Sequence, residues 1–385
     1  MRLLATLARK ARSLTVRLGA RAGAPPADRG SSVSPREYAN AAGGGCFHRE
    51  LRGVRVQRAS LPGNVGRPDE LPRERRPWGF SFRDVLERPV DPRSVARLPA
   101  CRILPFRDRW GSEYHMLRTA DGRRLRLHGT TVPGGVTALS GGDEPDLGET
   151  AWIVGRWHRN YYHWLLYHLP KILVLEEEGA ERALLVPGPG KLRPVIEASL
   201  LALGLDPASL RTLPEGPARA GPVWVVESDR FDPDLLRALR SRIAGPPGPA
   251  DRLVYVGRER ARRRRLANDA ELLRVLEAQG FARVDAEAIS FSEQVALASR
   301  TRVLVGVHGA GLTNMLFMPE GAHVIEIANP RYPSPAFYAL AAALGLRYWL
   351  VWGDPSVARG RDALDVEVDP GRVAVVLDAI GRERS

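Results

Sequence analysis

From Val303 to Asn314 the chain reads Val-Leu-Val-Gly-Val-His-Gly-Ala-Gly-Leu-Thr-Asn. An unbroken apolar run ending in a glycine turn fits a strand buried on both faces, and such strands belong to parallel sheets covered by helices. The surrounding sequence alternates to match. Strands are expected at Leu253–Val256, around Val284, at Val303–Val307, at His323–Ile327 and at Tyr348–Val351. Between them, Asn268 is read as the cap of a helix running to Gln279 and ended by Gly280. Ser290 and Glu293 form a capping box opening a helix to Ser299, and further helices are expected at 312–317 and 335–344. A closing helix is expected at 370–382. Repeated strand–helix alternation predicts a doubly wound sheet that binds ligands at its strand C-terminal ends.

A second α/β unit is expected upstream of the linker Ala-Gly-Pro-Pro-Gly-Pro-Ala at 244–250. Gly-rich turns at 121–122, 134–135 and 141–142 separate short strand-like segments. Asn160 caps a predicted helix from Tyr161 to Glu178, with a kink at Pro170. Strands are read at Ala183–Val186 and Val223–Val226, with a helix near 191–203 between them. Asp232 and Pro233 begin another helix, to about Ile243. The resulting division is a basic segment 1–75 (mostly disordered over 20–45), an α/β domain 76–243, a linker 244–251, a second α/β domain 252–369 and a terminal helix 370–385.

The formal charge of +13 invites a nucleic-acid reading, but the excess is local. Residues 1–30, 49–76 and 258–265 carry net charges of +6, +4 and +5, and the rest is close to neutral. All but three of the 57 cations are arginine, as expected of a GC-rich gene. No nucleic-acid motif accompanies them, so nucleic acid is not an expected partner. The two cysteines, Cys46 and Cys101, make no disulfide framework, and a reduced cytoplasmic setting follows. No run of 18 apolar residues suggests a membrane span. Leu3, Leu7, Leu14 and Leu18 recur at near-helical spacing among basic residues. Residues 1–21 are therefore a candidate peripheral contact with an anionic membrane at the inner face of the cell.

Three groups carry the chemistry. At the turn, Gly309, Ala310 and Gly311 let backbone amides approach an anion, and His308, Thr313 and Asn314 add polar side chains. The dinucleotide fingerprint fails because position 314 is Asn rather than Gly, and no Lys-Ser/Thr completes a Walker pattern. Arg258, directly after a predicted strand, and Arg265, at the end of the same loop, can grip a diphosphate. Arg260 and Arg262 to Arg264 are read as solvated. The third group is Arg156-Trp-His-Arg-Asn-Tyr-Tyr-His-Trp164. There His163 is a candidate base or a hydrogen-bond partner of a sugar hydroxyl, Asn160, Tyr162 and Tyr167 are candidate acceptor-side residues, and Trp164 is read as core. Asp232-Pro-Asp234 has the form of a metal-binding D-x-D, but its place before an amphipathic run makes it a helix cap.

The stretches NYYHWLLYHLPKILVLEE, VYVGRERARRRRLAN and ISFSEQVALASRTRVLVGVHGAGLTNMLFMPEGAHVIEI, in that order across about residues 150–330, resemble glycosyltransferase family 61, which includes bacterial capsular polysaccharide enzymes. The resemblance implies a GT-B-like α/β fold, with two Rossmann-like domains facing across a cleft. It implies an inverting transfer from a nucleoside-diphosphate sugar, UDP-linked in this reading, to a surface or capsular glycan. Neither an essential metal nor a cofactor is expected. Glu326 would accept ribose hydroxyls, and Glu293 is read as the capping-box acid. Family members often carry an acid four positions after the helix histidine, where this chain has Tyr167. That leaves an alternative, a non-catalytic nucleotide-sugar or glycan-binding protein on the same fold.

Overall fold

The alternation after residue 252 becomes a wholly parallel five-stranded sheet. Its strands are β1 (Arg252–Val256), β2 (Ala282–Val284), β3 (Thr301–Val307), β4 (His323–Ala328) and β5 (Arg347–Trp352), in the order β2-β1-β3-β4-β5. The structure is a computed structural model that describes residues 32–383, apart from 76, 108–112, 128–136, 139–143, 156, 247, 259–260, 262 and 357–363. The basic segment 1–21, the turns at 134–135 and 141–142, and Arg156, Arg260 and Arg262 lie outside the described residues.

The sheet is buried on both faces, which explains the unbroken apolar text of β3. Val303, Val305 and Ile325 pack with Leu272, Leu276, Val373 and Val376, from helices Asp269–Ala278 and Pro370–Arg382. Leu304 and Val324 face the other way, into a cluster with Leu340 and Leu344 of helix Ala336–Leu344. Neighbouring strand residues point to opposite faces, so both registers must be apolar.

The upstream half contains a second parallel run. Strand Thr150–Trp152 pairs with Val223–Glu227, and Leu185–Val186 pairs with Arg211–Thr212. An isolated bridge from Ala151 to Leu184 joins the two pairs. Taken in chain order, the four strands lie 3-2-1-4. Antiparallel strands Arg93–Leu98 and Phe47–Arg52 extend this sheet. A separate, largely antiparallel sheet is built around Cys101–Arg107 and Glu113–Thr119.

Several local expectations change. Residues 35–42 form a helix inside the stretch expected to be disordered. Ser34 and Glu37 make a capping box, Pro35 starts the helix, and Tyr38 and Ala39 are buried. Farther along, Asn64 pairs with both backbone groups of Leu350, which stitches the early segment to β5. Asn268 does not cap its helix with its side chain; it brackets the backbone of Val368, accepting from its N–H at 3.1 Å and donating to its O at 2.7 Å. The helix expected at 312–317 is a 3-10 helix, Ala310–Phe317. The helix from Tyr161 is broken into Tyr161–His163, a π turn Trp164–His168 and Lys171–Glu177. Pro170 cannot donate a hydrogen bond, and the chain widens ahead of it, Leu169 N–H reaching back to Trp164 O at 2.9 Å.

Asp232 caps helix Pro233–Ala244, as expected, by accepting from the N–H groups of Asp234 and Leu235. Its other oxygen holds Arg52 at 2.7 Å and Arg93 at 2.8 Å, so this buried carboxylate is fully committed. The two parallel units share apolar packing: Leu165 and Leu166 lie in the same cluster as Met315, Leu316 and Phe337. Arg237 and Arg240 add hydrogen bonds across this seam to the carbonyls of Ala343, Met318 and Leu344.

Candidate functional site

In an open parallel sheet, the gap between strands whose connections run to opposite sides leaves a crevice at the strand C-termini. Here that gap lies between β1 and β3. Arg258 follows β1 and the glycine turn follows β3, so the fold brings together two groups that lie 50 residues apart in the chain. The contact is close enough that a side chain at 309 would have to push the guanidinium aside, because a Cβ there would lie 1.8 Å from Nη1 of Arg258. Gly309 itself is extended, with φ 166° and ψ 174°, so its lack of a side chain matters for seating Arg258 rather than for backbone conformation. A Cβ at Gly311 would meet Val256 at 2.7 Å, which keeps the turn pressed onto the end of β1.

Arg258 is aimed by its own loop. Nε donates to Arg264 O at 3.1 Å and Nη2 to Arg263 O at 3.2 Å. Burial, and then the neighbouring Arg264 charge, lower its pKa to about 10. It therefore stays cationic at neutral pH, partly desolvated beside the first amides of the 3-10 helix, where an anion gains most. Arg265 is placed differently from the diphosphate role expected of it. Its guanidinium faces the buried carboxylate of Asp365 at 3.3 Å, and its N–H also donates to Asp365.

His308 is buried at the turn, with its ring packed edge-on against Tyr332 and Phe337. Nδ1 donates to Glu326, whose second oxygen accepts from Tyr348 OH at 2.6 Å. A carboxylate on Nδ1 fixes the proton there and leaves Nε2 as the ring atom open to chemistry. Glu326 is fully buried, with one oxygen on His308 and the other on Tyr348, which keeps it away from a ribose at the surface of the turn. The expected ribose contact is thus replaced by a positioning role beneath His308. Burial, followed by the Glu326 charge, pushes the Tyr348 hydroxyl well up, so it remains a donor.

Thr313 and Asn314 are more enclosed than a direct ligand role requires. Thr313 is fully buried, and its hydroxyl has no partner among the described residues. Asn314 accepts from Tyr161 OH at 2.5 Å and donates to Gln294 at 2.9 Å. It therefore ties the glycine turn both to the capping-box helix and to the helix start that bears His163.

Facing the turn from the upstream unit, residues 153–163 leave the C-terminal end of strand Thr150–Trp152. That strand and Val223–Glu227 flank the corresponding switch point of the 3-2-1-4 sheet. Asn160 accepts from His163 N–H at 3.3 Å and starts the helix. The half-buried His163 ring lies between Trp157 at 4.7 Å and Tyr162 at 5.2 Å. Tyr162 packs edge-on against Phe337, and its buried hydroxyl has no partner among the described residues. The Tyr167 ring sits under Lys171 Nζ at 5.0 Å, and burial raises its pKa. Trp164 is core, as expected, with Nε1 donating to Ser199.

Several residues here were not singled out from sequence. His158 and His168 are buried, each with Nδ1 against a backbone carbonyl, Gly155 and Ile153 respectively. Since a carbonyl only accepts, Nδ1 holds the proton and Nε2 is a bare acceptor without a partner among the described residues. His115 packs 5.4 Å from His158, and its pKa falls to about 3, chiefly through burial. Lys171 is buried, which lowers its pKa to about 8 against the opposing pull of Glu227. The polar-aromatic density at 156–164 was a usable signal for Trp157 and His158. Nothing local marks His115 or Lys171.

Residues 161–325 match the family model described as Glycosyltransferase 61, a span running from Tyr161 past His308 to the middle of β4. The EGF domain-specific O-linked N-acetylglucosamine transferase of Drosophila melanogaster is 39% identical over 106 residues, covering 27% of this chain and 20% of that protein. The Bos taurus protein O-linked-mannose beta-1,4-N-acetylglucosaminyltransferase 2 is 35% identical over 142 residues, covering 34% and 24%. A beta-1,2-xylosyltransferase of Oryza sativa subsp. japonica is 34% identical over 132 residues, covering 32% and 23%. The match thus spans about a fifth to a quarter of the length of these curated relatives.

Proposed function

We propose that the chain is an inverting glycosyltransferase of the GT-B type that takes a sugar from a UDP-linked donor and delivers it to a glycan acceptor. The carrying observation is Arg258 seated against Gly309 at the gap between β1 and β3, inside the matched family span. Departure of a nucleoside diphosphate leaves negative charge that must be stabilised. A fixed guanidinium, the first amides of a helix and, only where the His308 ring carries a proton on both nitrogens, its Nε2–H can supply that stabilisation without a metal. The names of the relatives, two N-acetylglucosaminyltransferases and a xylosyltransferase, favour UDP-N-acetylglucosamine or UDP-xylose as donors. They also widen the acceptor from a capsular polysaccharide to glycans carried on protein. We keep the domain boundary at the 244–251 linker, and the cytoplasmic setting fits two free thiols, Cys46 and Cys101.

His163 stands at the acceptor side as the group to receive the hydroxyl proton. Tyr167 cannot replace a carboxylate in that duty, because a buried phenol with a raised pKa holds its proton at neutral pH. The same residue favours a second reading, a donor-binding protein without turnover. The test is UDP release from UDP-N-acetylglucosamine and UDP-xylose, with UDP binding measured in parallel. Arg258→Ala and His308→Ala should both lose UDP affinity, and His163→Ala should lose turnover while retaining it. Unchanged UDP binding in the first two overturns the site. Binding with no turnover on any acceptor selects the second reading.

A further inference from the structure

Trp157 is the one exposed aromatic among the large apolar side chains at the described surface, with 42% of its area open. Its backbone sits at φ +60°, a left-handed conformation that a bulky L-residue adopts only under strain. The turn is held closed by Asn160 N–H donating to Trp157 O at 2.8 Å. A chain that needed only the turn would carry glycine here, since glycine adopts this φ without cost. Strain kept at an exposed tryptophan calls for a use of the side chain rather than of the backbone.

The position suggests what that use is. The indole packs against the ring of His163, at 4.7 Å and 49° between planes. His163 lies two residues from Tyr161, whose hydroxyl reaches Asn314 in the glycine turn. Trp157 therefore belongs to the upstream side of the site, in contact with His163. We propose that its indole is the platform on which a pyranose of the acceptor glycan stacks, so that an acceptor hydroxyl is presented to His163. The face of a pyranose bearing axial C–H bonds is apolar and weakly positive. It matches the negative face of an indole, while the ring hydroxyls at its edge stay solvated. A single flat aromatic recognises ring shape more than hydroxyl pattern, so discrimination among acceptors would rest on their axial substituents.

This inference rests on the glycosyltransferase reading, and its test is arranged to separate the two. Saturation-transfer NMR is run on the full chain without donor, using methyl α-mannopyranoside, methyl β-N-acetylglucosaminide and xylotetraose as probes. The unmodified protein should transfer saturation to ring C–H protons of at least one probe. Trp157→Ala and Trp157→Gly should abolish the signal, and Trp157→Phe should retain part of it. A purely structural tryptophan would lower the melting temperature when removed. Here Trp157→Gly, relieved of the left-handed strain, should melt no lower than the unmodified chain while losing saccharide binding. In the transfer assay, Trp157→Ala should raise the acceptor KM at least tenfold with the donor KM unchanged. Equal saturation transfer in Trp157→Gly, its absence in the unmodified protein, or a rise in donor KM alone overturns the platform. Loss of UDP binding by the unmodified chain overturns the glycosyltransferase reading instead.

Discussion

The two switch points of this molecule are built alike and finished differently. At the β1–β3 gap nearly every polar group is held: Arg258 by two carbonyls, His308 by Glu326, Glu326 by Tyr348, and Asn314 by Tyr161 and Gln294. Across from it, His158 Nε2, His168 Nε2 and the Tyr162 hydroxyl are buried without partners among the described residues, and Trp157 is strained. Each buried unsatisfied group costs on the order of 1–3 kcal/mol. The contrast separates a preorganised turn, the proposed anion site, from a side that keeps unspent hydrogen-bonding capacity, as expected where an incoming ligand completes the set.

The sharpest way to break the contrast is Gly309→Ala. The added methyl must displace Arg258, so UDP affinity should fall by on the order of a hundredfold, the loss expected when a buried charge contact is broken. Isothermal titration with UDP measures it. In the Arg258→Ala background the same substitution should do little further harm; full additivity would show that Arg258 and Gly309 act separately.

Next in size is Lys171, a buried cation of the upstream side. Its folded pKa of about 8 lies below the ordinary lysine value, so between the two the unfolded chain binds the extra proton. Stability therefore rises as pH increases from about 8 toward the unfolded pKa. Below pH 8 both states are charged and the full burial cost applies. Lys171→Met should stabilise the protein at pH 7 by up to about 3 kcal/mol, and the gain should shrink to near zero above pH 10.5. Denaturant melts at pH 7 and pH 10.5 test this, and a pH-independent difference would contradict it.

The smallest effect probes the link between the two sides. Tyr161→Phe leaves the buried Asn314 oxygen short of a donor and should cost about 1–3 kcal/mol of stability. If the link also registers the upstream helix against the glycine turn, turnover should fall more than UDP affinity. Equal stability and activity would show that the 2.5 Å contact carries neither load.

The downstream sheet was legible in the sequence because a parallel sheet writes itself locally. The inner strands are apolar on both faces, and caps mark some of the connections, as at Ser290 and Gly280. Upstream, strands Phe47–Arg52, Arg93–Leu98 and Val223–Glu227 pair across long stretches of chain, and no local pattern announces such partners. The helix at 35–42 had a readable signal in Ser34-Pro-Arg-Glu37, obscured by the Arg, Gly and Pro around it.

The site divides in the same way. Sequence alone determined that a glycine turn follows a buried strand, that Arg258 ends another strand, and that Asn160 starts the helix bearing His163, since each depends on a few adjacent residues. Only the tertiary structure decided which side chains remain open to a ligand. It sealed Glu326 under His308, turned Arg265 to Asp365, locked Asn314 between two helices and left Trp157 exposed. The physical reason is that a polar atom's role is set by who satisfies it, and those partners come from distant parts of the chain.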